Sequence, residues 1–254
     1  MPVGSILKVD NLTKVFTRKG QPPFIAVDHI SFAVESGQCL GLIGESGSGK
    51  STAAGMITRL IDPTEGQIVL DGEDITRLKG RQLQSAYWKM QMVFQTPTES
   101  FDPRRTLGDG IGESLRNYGH CRAEVNRQVA LLLKQCGLPD DFARRYPHQV
   151  SGGQCQRAAI ARAIAIRPKL LICDEATSAL DVTIQREILA LLSELRRKMN
   201  LSILFICHDI ALVQQFCDRV LVMYRGSIVE EGVPNEVIRN PQNDYTKRLI
   251  ESIL

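Results

Sequence analysis

The nine residues GESGSGKST, Gly44 to Thr52, constrain this chain more than any other stretch. They follow the apolar run QCLGLI and open the helical run STAAGMITRL, so the expected path is strand, loop, helix. The spacing fits G-x-x-x-x-G-K-[ST], and the strand–loop–helix setting is what gives that pattern its meaning. Gly44, Gly47 and Gly49 let the loop, with Glu45, Ser46 and Ser48 between them, wrap its N–H groups around phosphate. The helix start adds partial positive charge. Lys50 can reach β- and γ-phosphates, and Ser51, next to Thr52, can ligate Mg²⁺. A glycine-rich turn before a helix would leave the lysine unexplained.

The rest of the chain supplies an α/β frame for that loop. Short runs rich in β-branched residues read as strands: ILKVDNLTKVF, FIAVDHISFAV, QCLGLIG, GQIVLDG, QMVFQ, LLICDE, SILFICHD and RVLVMYRGSIVEEG. Helical patterns fall at 50–60, 123–136, 153–166, 183–199 and 209–216. Strands alternating with helices predict a mainly parallel sheet. The early strands, at about 5–35 and 66–75, alternate polar and apolar residues and predict an antiparallel layer. Residues 96–150 contain PTESFDPRRT and short helical pieces with no strand, so 96–158 is read as a helical subdomain inserted in one domain spanning 1–254. The tail NPQNDYTKRLIESIL reads as a short amphipathic helix.

Three further strand ends carry polar groups. LLICDE closes on Asp174 and Glu175, and ligands in open α/β sheets gather at the carboxyl ends of strands. Asp174 is placed to hold Mg²⁺ through water. Glu175, expected on the opposite side of the strand, could polarise an attacking water. SILFICHD ends at His208, which could bond a γ-phosphate oxygen, and QMVFQ ends at Gln95.

The net charge is +3, too slight to argue for a nucleic-acid partner. No apolar run approaches the roughly 20 residues that cross a bilayer. Lys8, Asp10 and Lys14 interrupt the N-terminal stretch where a signal peptide is apolar. A cytosolic chain is expected. The seven cysteines form no C-x-x-C pair and read mostly as core thiols.

A second helix start, Ser151–Gly152–Gly153–Gln154 before the Ala-rich run CQRAAIARAIAI, also looks built for an anion. One nucleotide has little use for two helix N-termini of a single chain on its γ-phosphate. Two chains arranged head to tail resolve this, each capping the nucleotide on the other's loop.

With these pieces in one order, the sequence resembles an ATP-binding subunit of an ABC transporter. Gly44–Thr52 matches the P-loop, Gln95 the Q-loop, VSGGQ (Val150–Gln154) the signature and LLICDE the Walker B strand. SALD (Ser178–Asp181) matches the D-loop and His208 the switch histidine, across nearly the whole chain. Val150 departs from the family's usual Leu, a small apolar change. The resemblance implies ATP and Mg²⁺ as ligands, with Lys50, Glu175 and His208 catalytic and Ser51, Gln95 and Asp174 around the metal. It implies Phe16 stacked on adenine, Ala26 bordering the ribose and Asp181 among the nucleotide-site residues. It also implies a head-to-tail dimer of equal or paralogous subunits, docked peripherally on a membrane permease at the cytoplasmic face. The helical subdomain, near Phe101 and Arg105, would receive the permease, which an extracytoplasmic binding protein would supply.

QMVFQTPTESFDPRRT, TSALDVTIQ and NPQNDYTKRLI further resemble the dipeptide, oligopeptide and nickel importer branch, whose cargo is peptide, nickel or a metal–chelator complex. Many members of that branch carry a cysteine-bearing extension; no cysteine follows Cys217, so no cluster site is expected. A DNA-maintenance ATPase of the SMC type would need a long coiled coil between loop and signature, and translation ATPases of this kind carry two cassettes. A cytosolic ABC ATPase without a permease, as in iron–sulfur assembly, stays open as the alternative.

Overall fold

The computed structural model describes residues 4–177 and 180–251. Strands β1 (Ser5–Phe16) and β2 (Phe24–Glu35) pair antiparallel, and β4 (Glu65–Leu70) and β5 (Glu73–Asp74) extend them in the order β2-β1-β4-β5. This is the expected antiparallel layer; the two-residue β5 is too short to show as a run of its own. The second sheet holds β3 (Cys39–Ile43), β6 (Met90–Val93), β7 (Leu170–Asp174), β8 (Ser202–Ile206), β9 (Arg219–Tyr224) and β10 (Ser227–Gly232), ordered β10-β9-β3-β8-β7-β6. All its pairs are parallel except β9 with β10.

The near-continuous apolar runs of β3, β7 and β8 follow from burial on both faces. Leu40, Leu42, Leu170, Ile172, Leu204 and Ile206 enter one core, shared with the antiparallel sheet and α1 (Lys50–Ile57). The alternating residues Cys39, Ile43, Leu171, Cys173, Ile203 and Phe205 enter a second core. That core is closed by α5 (Arg122–Gln135), α6 (Gly152–Ile164), α7 (Val182–Met199) and α8 (Ile210–Phe216). Six of the seven cysteines are buried and Cys121 is exposed, in line with core thiols.

Segment 96–158 contains α3 (Leu107–Ile111), α4 (Glu113–Asn117), α5 and two short 3₁₀ turns, with no strand among the described residues. Helix α6 starts inside this segment and runs on past residue 158, so the helical region and the sheet share one apolar cluster. Phe101, expected on the docking surface, is 5% exposed and lies under the Arg162 guanidinium, 4.6 Å from the ring centre. Its large ring is better buried than exposed; Arg105 remains at the surface.

The run RVLVMYRGSIVEEG is a hairpin rather than one strand. Arg225 (φ 46°) and Gly226 (φ 88°) both take positive φ, the two-residue turn that matches strand twist. Helices α2 (Gly80–Lys89) and α9 (Pro234–Arg239) were not expected from the sequence, whereas α10 (Asp244–Glu251) forms the anticipated tail helix. Among the described residues no helix is long and apolar enough to cross a membrane.

Candidate functional site

The register of the parallel sheet sets the site. Val93 lies level with Cys173, Asp174 with Ile206, and Leu42 with Ile206. The residues that follow β6, β3, β7 and β8 therefore emerge along one rim, and these are Gln95, Gly44–Thr52, Glu175 and His208.

Loop 44–52 leaves β3 and closes on α1. Gly44 (φ 152°) and Gly49 (φ 107°) make that path possible. A Cβ on Gly44 would stand 2.2 Å from the Met223 carbonyl oxygen, and one on Gly49 2.4 Å from that of Ala26. Ala26 is thus packed against the loop. The Lys50 Nζ is folded into the loop, donating to the Gly44 carbonyl at 2.7 Å and the Glu45 carbonyl at 2.8 Å. Burial lowers the Lys50 ammonium from its ordinary value, while Glu175 and Asp174 pull it back up. On the outer side, the Glu45 N–H donates to the Tyr245 hydroxyl at 3.0 Å and the Gly226 N–H to the Ser48 carbonyl at 2.9 Å.

Ser51 Oγ donates to Asp174 Oδ1 at 3.3 Å, so two of the three residues expected around a metal stand together, while the third, Gln95, donates to Glu175 instead. Burial raises the Asp174 carboxyl above the usual range; the Ser51 hydrogen bond opposes that, the Glu175 charge adds to it and Lys50 opposes it. Among the described residues no group of three or more His, Cys, Asp or Glu forms a metal cage. A hydroxyl beside one carboxylate is instead the oxygen set that suits Mg²⁺ bound with phosphates, since this ion keeps waters and takes few protein ligands.

Glu175 does not continue the alternation of β7. Its φ of 47° turns the chain at the strand end, and its N–H donates to the Ile206 carbonyl at 2.9 Å. The expected opposite-side placement is replaced by a turn. Gln95 Nε2 then donates to Glu175 Oε2 at 2.7 Å, and His208 Nδ1 stands 3.8 Å from Glu175 Oε1. The structure thus gathers Gln95, Glu175 and His208 into one cluster, with Gln95 on the carboxylate.

Ser151 caps α6: its Oγ accepts the Gln154 N–H at 3.3 Å, and Gln154 Oε1 accepts the Ser151 N–H at 2.9 Å. The two glycines behind it have different reasons. Gly152 is exposed, whereas a Cβ on Gly153 would meet Ile184 Cγ2 at 2.7 Å, so Gly153 lets α6 approach α7. This start shares no hydrogen bond with loop 44–52 among the described residues. Asp181 caps α7 by accepting the Ile184 N–H at 3.0 Å; Ser178 and Ala179 of the expected D-loop lie outside the described residues. Phe16 is 39% exposed at the end of β1, with Lys14 Nζ 5.0 Å from its ring centre.

Tyr245 and the Arg225–Gly226 turn were not identified from the sequence as parts of the site. They lie in the C-terminal third, and only the three-dimensional packing brings them onto the loop.

Residues 27–178 match the ABC transporter family. The glutathione import ATP-binding protein GsiA of Pectobacterium atrosepticum is 46% identical over 229 residues, 90% of this chain; the chain spans 37% of that protein's length. The oligopeptide transport ATP-binding protein OppF of Salmonella typhimurium is 45% identical over 237 residues, covering 92% of this chain and 71% of OppF. Among solved structures, a dimeric post-hydrolysis state of the ATP-binding cassette MJ0796 bound to ADP and Pi superposes with a TM-score of 0.82 at 29% identity. That match covers 90% of this chain and 98% of the other.

Proposed function

From the premise that the chain belongs to the ABC transporter family, we propose that it hydrolyses ATP in the service of an importer of peptides or small peptide-like molecules. The observation that carries this reading is the single rim on which Lys50, Ser51, Asp174, Glu175, Gln95 and His208 meet. The names of the relatives, glutathione and oligopeptide import subunits, support the cargo class.

Lys50 exchanges the carbonyls of Gly44 and Glu45 for phosphate oxygens, and amides of loop 44–52 other than that of Glu45, which stays on Tyr245, line the same group. Ser51 and Asp174 would hold Mg²⁺, and the bound ion would supply charge neutralisation to the phosphates. Gln95 would join Ser51 and Asp174 around Mg²⁺ when that ion is bound, and its release of Glu175 would leave the carboxylate to orient water and accept its proton. His208 bonds a γ-phosphate oxygen. Phe16 stacks on the adenine and Ala26 borders the ribose. Ser151–Gln154 and Asp181 face the nucleotide of a second ATPase subunit, of the same or a paralogous chain, in a head-to-tail dimer.

The permease contact is assigned to a groove of about 340 Å³ between the sheet and the helical region, lined by Leu60, Phe94, Gly110, Glu113, Ser114 and Arg162. Leu60 and Phe94 are 61% and 40% exposed, an apolar surface suited to a protein partner. The subunit then works at the cytoplasmic face of the membrane. The test is phosphate release from ATP and Mg²⁺ by the chain with its ATPase partner and permease in vesicles. Release that rises with peptide-loaded binding protein supports the reading; no release under these conditions rejects it.

A further inference from the structure

We propose that Tyr245 is a positioning residue for ATP binding, holding the Glu45 peptide from the C-terminal helix so that loop 44–52 is shaped before phosphate arrives. This rests on the reading of that loop as the phosphate site. Tyr245 lies 200 residues beyond Glu45, yet its hydroxyl accepts the Glu45 N–H at 3.0 Å. The ring is 5% exposed and stacks on Tyr224 with centroids 4.0 Å apart. Burial raises the phenol above its usual range, so the oxygen stays a neutral acceptor.

The approach to Tyr245 is itself fixed. Glu230 of β10 accepts the Gln242 N–H at 2.8 Å and the Asn243 N–H at 3.0 Å, and Asn243 Oδ1 accepts the Tyr245 N–H at 2.9 Å. Thr246, Leu249 and Ile250 are buried with it. Tyr224 is the last residue of β9, directly before the turn that ties Gly226 to Ser48. The loop is therefore gripped from outside at two peptides, Glu45 and Ser48, and from inside by Lys50. A loop with three positive-φ glycines has many conformations to lose, and fixing one peptide in advance lowers the cost of ordering it on the ligand.

The test is calorimetric titration of ATP and Mg²⁺ into the full chain, wild type and Tyr245→Phe, with the ATPase rate measured beside it. The phenylalanine keeps the ring stack and removes only the acceptor. A net hydrogen bond corresponds to about 2- to 10-fold in Kd, so Kd and KM should rise by about that factor, more than kcat falls. Asn243→Ala, which frees the Tyr245 peptide without touching the ring, should shift Kd in the same direction; it decides the matter if Tyr245→Phe does not fold. A wild-type Kd in Tyr245→Phe, even with a lowered melting temperature, overturns the proposal and makes the tyrosine a packing residue. Absence of ATP binding by the wild-type chain would instead reject the phosphate-site reading.

Discussion

Glu175→Gln separates chemistry from binding in this site. In the structure Gln95 Nε2 reaches Glu175 Oε2 at 2.7 Å and His208 Nδ1 stands 3.8 Å from Oε1. Glutamine has the same size and keeps one oxygen for Gln95, so the cluster can persist, while the charge and the basicity are gone. General-base contributions are about 10²–10⁴-fold, which is about 3–5 kcal/mol of barrier. Turnover should fall by at least the lower figure. The electrostatic consequences run the other way for binding. Glu175 is one of the charges that raise the Asp174 carboxyl, so its neutralisation favours ionised Asp174 and with it the metal site. It also removes a negative charge from the place where the γ-phosphate arrives. The variant should therefore bind ATP and accumulate as a closed dimer with ATP and Mg²⁺, seen by size-exclusion chromatography with the proper ATPase partner present. Phosphate release from a single turnover provides the rate. Near-wild-type release would refute the role of Glu175 as base; loss of ATP binding together with turnover would show that the carboxylate acts in binding.

Lys50→Ala should abolish tight ATP binding, measured by titration, because the phosphates lose their fixed cation; unchanged affinity would remove the loop assignment. Ser151→Arg should leave ATP binding by the isolated chain intact and block dimer closure and hydrolysis, whereas lost monomer binding would place Ser151 in its own chain's site. The raised Asp174 carboxyl means that the folded state takes up a proton more readily than the unfolded state, so this group costs stability at neutral pH and costs less as pH falls toward its folded value. Without ATP or Mg²⁺, Asp174→Asn should melt higher than wild type at pH 7 and depend less on pH, while losing stabilisation by ATP and Mg²⁺; an unchanged or lower melting point would contradict that sign. Cysteines at Leu60 or Phe94 should crosslink to cytoplasmic loops of the permease, and a cysteine at the buried Phe101 should not; the reverse pattern would move the docking site.

Where the sequence was legible, one physical signal had one cause. The runs LLICD and SILFI are buried on both faces, so their apolar residues are continuous and their first polar residues mark the rim. The loop 44–52 was legible because a phosphate cradle needs glycines and a lysine at fixed spacing. Helix α2 was hidden because only Ala86 is buried along it, and no side chain caps its start. The β9–β10 turn was hidden because Arg225 occupies a positive-φ position where Asn or Gly usually signals a hairpin. Glu175 was found by its place after the strand, but its left-handed turn has no sequence mark. The hydrogen bond from Glu45 to Tyr245 spans most of the chain, and local pattern cannot show it.

The order β10-β9-β3-β8-β7-β6 has a consequence for biosynthesis. Strand β3 finds its neighbours only at Ser202–Ile206 and Arg219–Tyr224, more than 150 residues further along. The antiparallel sheet, by contrast, is complete by Asp74. A chain emerging from the ribosome can therefore close its N-terminal layer early, while β3 waits with both edges open and the glycine loop attached. Nucleotide cannot meet a finished pocket until β8 and β9 have emerged, so ATP can stabilise the closed sheet but cannot guide the folding of the strands made before them.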